Sequence, residues 1–155
     1  APNGIVFGGN FSEEFSSQTS KNAVGANAFK NTKSSFYYWY INNKTGAWAL
    51  YKVENGGTRV AVANKMGSST AWADRYGETY QSGKTYRLKV DYETGENGDR
   101  SIRLYVDDIL FGEYVDSSNP VVPFGKSYGF MTENASGAVY SDIKFTEIKK
   151  GDDQS

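Results

Sequence analysis

The chain has 155 residues and a net charge of −1, from 17 basic and 18 acidic side chains, with neither cysteine nor histidine. That is the size of one domain burying about two thirds of its unfolded surface, with no disulfides, no thiolate chemistry and no imidazole base or metal ligand. Zinc hydrolases that depend on histidine, serine triads and Cys–His pairs are excluded; charge without blocks and no apolar run near ~20 residues point away from nucleic acid and membranes.

The N-terminus, Ala1-Pro2-Asn3, lacks Met and a signal-peptide pattern and reads as a processed protein or an excised module. Ile5 to Phe7 is expected as a short buried strand closed by Gly8-Gly9. Residues 10–35, rich in Ser, Asn, Gly and Lys, read as a long surface loop.

Phe36 to Glu54 is the aromatic centre of the chain, with Tyr37, Tyr38, Trp39, Tyr40, Trp48 and Tyr51 close together. It reads as two strands joined by the turn Asn42-Asn43-Lys44-Thr45-Gly46. Side chains alternate across a sheet, so Tyr37, Trp39 and Ile41 share one face and Tyr38 and Tyr40 the other. Ile41, Trp48 and Leu50 mark the first face as core. The second is expected to look outward, with Lys52 and Glu54 beside the tyrosines. Asn55-Gly56-Gly57 turns the chain into a third strand, Arg59 to Ala63.

Residues 64–83 break the pattern. Ser69 is placed to cap one helical turn, but the segment reads as irregular. Regular alternation resumes with Tyr86, Leu88, Val90 and Tyr92 facing in and Arg87, Lys89 and Asp91 facing out. A turn at Gly95 to Asp99 leads to Ile102, Leu104 and Val106, again inward. Asp107-Asp108 makes a tight hairpin turn into Ile109 to Val115. Tyr128 to Thr132 and Ala138 to Ile148 supply the last strands, and Gly151 to Ser155 resembles a linker stub. Eight or nine short strands, no convincing helix and no repeat predict an all-β antiparallel β-sandwich over residues 1–149, with a polar tail at 150–155.

The order GIVFGGN, GANAFK, FYYWYIN, GAWALYKVENGGTRV, GKTYRLKVDY, IRLYVDDILFGEYVD and YGFMTENASGAVYSDIKF resembles the concanavalin A-like lectin/glucanase jelly rolls. More narrowly it is similar to carbohydrate-binding module family 66, carried by bacterial levanases and related fructan hydrolases. The resemblance spans about Gly4 to Phe145. It implies a monomeric, secreted bacterial module that holds a catalytic domain on polysaccharide, with levan or inulin and their terminal fructose the expected ligands. No cofactor is required. Related sandwiches often carry a structural calcium ion, for which Asp142, Asp116 and Asn3 are the candidate ligands here.

Two clusters carry the expected sugar chemistry. In Trp72, Asp74, Arg75, Tyr76 and Glu78, carboxylates and a guanidinium suit adjacent hydroxyls, while an aromatic ring suits a sugar's C–H face. The competing reading is a polar loop anchored by a buried Trp72. The other cluster is Tyr38, Tyr40, Lys52 and Glu54, with Arg59 beyond the turn; its competing reading is a cross-strand ladder. The hairpin reads as the floor of a site and 64–83 as its wall, with Glu133 free to reach a ligand. The run Asp91 to Glu96 superficially resembles the catalytic strand of family 16 glycoside hydrolases, but Gly95 and Gly98 end the strand before Glu96. The alternatives are a glycoside hydrolase of this fold using paired carboxylates, or a laminin-G-like adhesion domain with an exposed apolar patch.

Overall fold

A computed structural model of the chain describes residues 2–10, 35–54, 60–63, 70–95, 98–117 and 127–132. Eight strands and one short helix are found among them. They are β1 (Pro2–Asn10), β2 (Ser35–Asn42), β3 (Trp48–Val53), β4 (Val60–Ala63), α1 (Thr70–Tyr76), β5 (Leu88–Thr94), β6 (Arg100–Val106), β7 (Ile109–Asp116) and β8 (Ser127–Thr132). The strands form a five-stranded sheet, in the order β4-β3-β2-β1-β8, and a three-stranded sheet, β5-β6-β7. Every strand pair is antiparallel. The predicted all-β sandwich is therefore the architecture. The expected strand over Ala138 to Ile148 and residues 11–34 of the expected loop lie outside the described residues, while Asn10 and Ser35 at its ends belong to β1 and β2.

β2 explains the concentration of aromatics. Its register sets Tyr37 opposite Lys52, Trp39 opposite Leu50 and Ile41 opposite Trp48. Tyr37, Trp39 and Ile41 enter the core between the sheets, as parity predicts, with Phe7, Leu50, Ile102, Leu104, Val106 and Phe111. Tyr92 of β5 meets the rings of Phe7 and Tyr37, with centroids 5.7 and 5.9 Å away. At the other side of the sandwich, Trp48 meets Phe111 at 5.9 Å. The alternate residues form a second buried cluster on the opposite face of the same sheet: Tyr38, Tyr40 and Tyr51 with Val6, Phe36, Ala49 and Val53. A strand buried on both faces needs a nearly unbroken apolar run, and FYYWYI supplies one.

Between β6 and β7 the expected hairpin turn is present. Asp107 and Asp108 have φ of 48° and 67°. Two left-handed central residues match the right-handed twist of the flanking strands, and Asp tolerates that conformation better than most side chains. Further along β7 the register slips: Leu104 pairs with Gly112 and Tyr105 with Leu110, leaving Phe111 as an extra residue. This bulge turns both Phe111 and Gly112 inward. Gly112 has no room for a side chain, because a Cβ there would stand 2.9 Å from Cη2 of Trp48.

Two local expectations are overturned. β1 is not closed by Gly8-Gly9 but runs on through them to Asn10, with a register shift after Phe7. Part of the segment expected to be irregular is the helix α1, Thr70–Tyr76. Seven residues are too few to hold a helix in water by propensity alone, so packing must do it. Trp72 and Tyr76, four apart, share the packed face, with ring centroids 5.8 Å apart. Ser69, the expected cap, lies outside the described residues.

Candidate functional site

The helix is anchored by Trp72, which is buried in the core. Its indole makes edge contacts with Phe111 at 4.8 Å, Tyr86 at 4.8 Å and Tyr80 at 4.9 Å. Gly46, at the end of the β2–β3 turn, completes this seat. Its φ is +75°, and a Cβ would lie 2.5 Å from the Cβ of Tyr80 and 3.1 Å from that of Trp72. Of the two readings of Trp72, ligand contact or buried anchor, the structure has the anchor beneath the segment, and a side chain so enclosed cannot stack on a sugar.

Tyr76 ties the helix to the β6–β7 turn. Its hydroxyl donates to Asp107 Oδ2 at 2.7 Å, while Asp107 Oδ1 accepts the Arg87 amide at 2.8 Å. The Asp107 amide in turn donates to the Arg87 carbonyl at 2.8 Å. The hydrogen bond to Asp107 is the main reason that the Tyr76 phenol is held above its ordinary pKa. Lys84 Nζ donates to the same hydroxyl at 3.4 Å and lies 5.3 Å from the ring centroids of both Tyr76 and Tyr86. This network fixes where α1 sits relative to β7.

Asp74, Arg75 and Glu78 remain exposed. Arg75, in the last turn of α1, has a position that suits its positive charge. It lines an open pocket of about 330 Å³ together with Trp48, Ala63, Leu110, Phe111, Gly112 and Glu113. The pocket thus lies where α1, β4 and β7 meet. Trp48 and Phe111, both buried, underlie it, and Arg75 and Glu113 contribute a donor and an acceptor group. Leu110 and Glu113 were not anticipated as site residues. The bulge at Phe111 interrupts the alternation of β7, so the outward positions 110 and 113 do not follow from a simple period of two.

The tyrosine cluster does not form an accessible surface. Tyr38 and Tyr40 do point away from the core between the sheets, but both are buried. Lys52 is also corrected: it stands opposite Tyr37 on the inward face and not beside Tyr38 and Tyr40. Lys52 is 8% exposed, and its ammonium pairs with Asp116 Oδ2 at 2.5 Å and Glu54 Oε1 at 2.7 Å. Tyr37 also donates to Asp116, at 2.6 Å. Burial acts to lower the Lys52 pKa, but hydrogen bonds to Asp116 and Glu54 and their negative charges outweigh it and hold the group above its ordinary value. Burial also raises the Tyr37 phenol strongly, helped by Asp116. Among the described members of this group only Glu54 is largely accessible, with its side chain 51% exposed. The Trp72 and Tyr38 clusters therefore occupy opposite faces of the five-stranded sheet and do not make one site.

Asp116, a candidate calcium ligand, is fully buried and engaged by Lys52 and Tyr37. Among the described residues, no group of three or more acidic side chains is arranged to hold a metal ion. Asn3 is described only as backbone in β1, opposite Ile41. Arg59, Glu133 and Asp142 lie outside the described residues, and so does Glu96. β5 ends at Thr94, where the Gly95 amide turns back to the Asp99 carbonyl at 2.6 Å. The expected break in the Asp91 to Glu96 run is thus present.

An all-β sandwich with a shallow polar and aromatic pocket at the junction of α1, β4 and β7 is the class that fold and geometry define. Comparison of the chain with protein-family models, with curated proteins and with solved structures finds no match.

Proposed function

We propose that the chain is a non-catalytic carbohydrate-binding module, similar to those of family 66 in the concanavalin A-like group, that holds a secreted bacterial hydrolase on its polysaccharide. The observation that carries this reading is the pocket bearing Arg75 and Glu113 over Trp48 and Phe111. Guanidinium and carboxylate groups on its rim match the donor and acceptor needs of neighbouring hydroxyls, and Leu110, exposed at the same rim, offers apolar surface to a sugar's C–H face. Its volume, at the lower end for ligand sites, suits a chain end of one or two sugar units. Binding needs no general base, which agrees with the absence of histidine.

Fructan, presented as a terminal fructose of levan or inulin, is the proposed ligand. So few contacts limit affinity to the range of roughly micromolar to millimolar. Calorimetry with fructose, levan, inulin and a panel of other glycans tests this on the wild type, Arg75→Ala and Glu113→Ala. Heat with fructans that both substitutions abolish, at unchanged thermal stability, is the expected outcome. Heat with a different glycan alone removes the fructan assignment, and no heat with any glycan removes the module itself.

A further inference from the structure

The solvent face of the three-stranded sheet adjoins the pocket. Antiparallel register arranges its outward side chains in three rows across β5, β6 and β7: Lys89–Tyr105–Leu110, Asp91–Arg103–Glu113 and Glu93–Ser101–Val115. Leu110 and Glu113 belong both to these rows and to the pocket lining, so the two surfaces are continuous.

We propose that this face is an extension of the binding site, holding the sugar units that follow the one in the pocket; the inference rests on the carbohydrate reading above. Successive rows lie about 7 Å apart along a strand, a spacing comparable to one sugar unit. Tyr105, on the central strand, offers a half-buried ring with Lys89 Nζ 5.2 Å from its centroid. Leu110 and Val115 are 43% and 55% exposed. Two branched apolar side chains and a tyrosine are more than a solvated ladder of charges requires, and they supply surface for C–H faces.

Charge selects the kind of ligand. In these rows Lys89 and Arg103 stand among Asp91, Glu93 and Glu113, and Arg87 pairs with Asp108 at their edge, so both signs are interspersed and the face is close to neutral. A polyanion or an acidic surface would call for one sign, whereas a neutral polyol needs donors and acceptors interspersed. The two ion pairs within the rows are loose. Lys89 and Asp91 stand 3.7 Å apart and Arg103 and Glu113 3.5 Å, against about 2.7–2.9 Å for a charged hydrogen bond. Their polar atoms can therefore turn to hydroxyls at little cost.

The test compares, by calorimetry on the full chain, a fructan disaccharide with a longer linear oligosaccharide of the same linkage. Single oligosaccharides avoid the avidity of a branched polymer. The wild type should bind the longer one about tenfold more tightly, as one additional stacked ring would allow. Tyr105→Ala and, separately, Val115→Ser should each erode that gain while leaving disaccharide affinity unchanged. Arg75→Ala should weaken both ligands. Equal affinity for the two lengths, or a length gain that survives both substitutions on the sheet face, overturns the extended site. In either of those outcomes the disaccharide still binds, so the pocket reading stands; loss of all binding in the wild type removes both.

Discussion

Lys52 on β3 and Asp116 at the end of β7 form an ion pair of 2.5 Å that joins the two sheets inside the sandwich. The Tyr37 hydroxyl shares the same carboxylate. Taking an ammonium and a carboxylate out of water costs several kcal/mol per ion, which attraction at this distance and the added hydrogen bonds must offset. Removing either charge leaves the other buried and deprived of its nearest counter-charge. Asp116→Ala should therefore destabilise the fold by about 3–5 kcal/mol. A double variant, Lys52→Met with Asp116→Leu, should lose less than the sum of its parts, as read from urea denaturation.

Alkaline pH attacks the same cluster. The folded-state pKa values of Tyr37 and Lys52 are both raised from ordinary values of 10.0 and 10.5. A raised value means that the folded state holds its proton longer than the unfolded state. The stabilisation is fully present below those ordinary values and is lost as pH rises above them. Unfolding free energy should be flat near neutral pH and fall above about pH 10. In Tyr37→Phe that alkaline fall should be shallower, even though the variant is weaker at pH 7. An unchanged slope would assign the effect to other groups.

Gly46→Ala tests the seat of the helix. Left-handed backbone and a Cβ 2.5 Å from the Tyr80 Cβ leave no relaxed position for a methyl group. A loss of about 1–3 kcal/mol is expected, together with altered near-ultraviolet circular dichroism as Trp72 and Tyr80 shift.

Trp72 and Arg75 should separate stability from binding. Trp72→Ala empties the contact with Phe111, Tyr80 and Tyr86, and should cost about 3–5 kcal/mol. Arg75→Ala, at an exposed position, should change stability by less than about 0.5 kcal/mol. Thermal melts beside sugar titrations distinguish the two. A Trp72→Ala protein that melts like the wild type but no longer binds would restore the indole as a contact.

Periodicity alone determined the architecture. Alternation in Tyr86 to Tyr92 and Ile102 to Val106 gave the inward residues correctly, and Asp107-Asp108 marked its turn, because both signals are local. Parity likewise placed Tyr37, Trp39, Ile41, Trp48 and Leu50 in the core between the sheets. Parity says which side a residue faces, however, and not whether that side meets water. Tyr38 and Tyr40 are buried on the far face of their sheet, and Lys52 is held inside by a partner 64 positions away.

The helix and the pocket were hidden for related reasons. α1 is too short to announce itself by periodicity, and it exists because Trp72 finds Phe111, Tyr80 and Tyr86. The pocket needs the bulge at Phe111 and the absence of a side chain at Gly112 to bring Glu113, Leu110 and Arg75 around Trp48. By itself the sequence determined an all-β sandwich without imidazole or thiol chemistry. Tertiary structure decided which aromatics are core and which polar groups meet at a surface, because those depend on contacts between residues far apart in the chain.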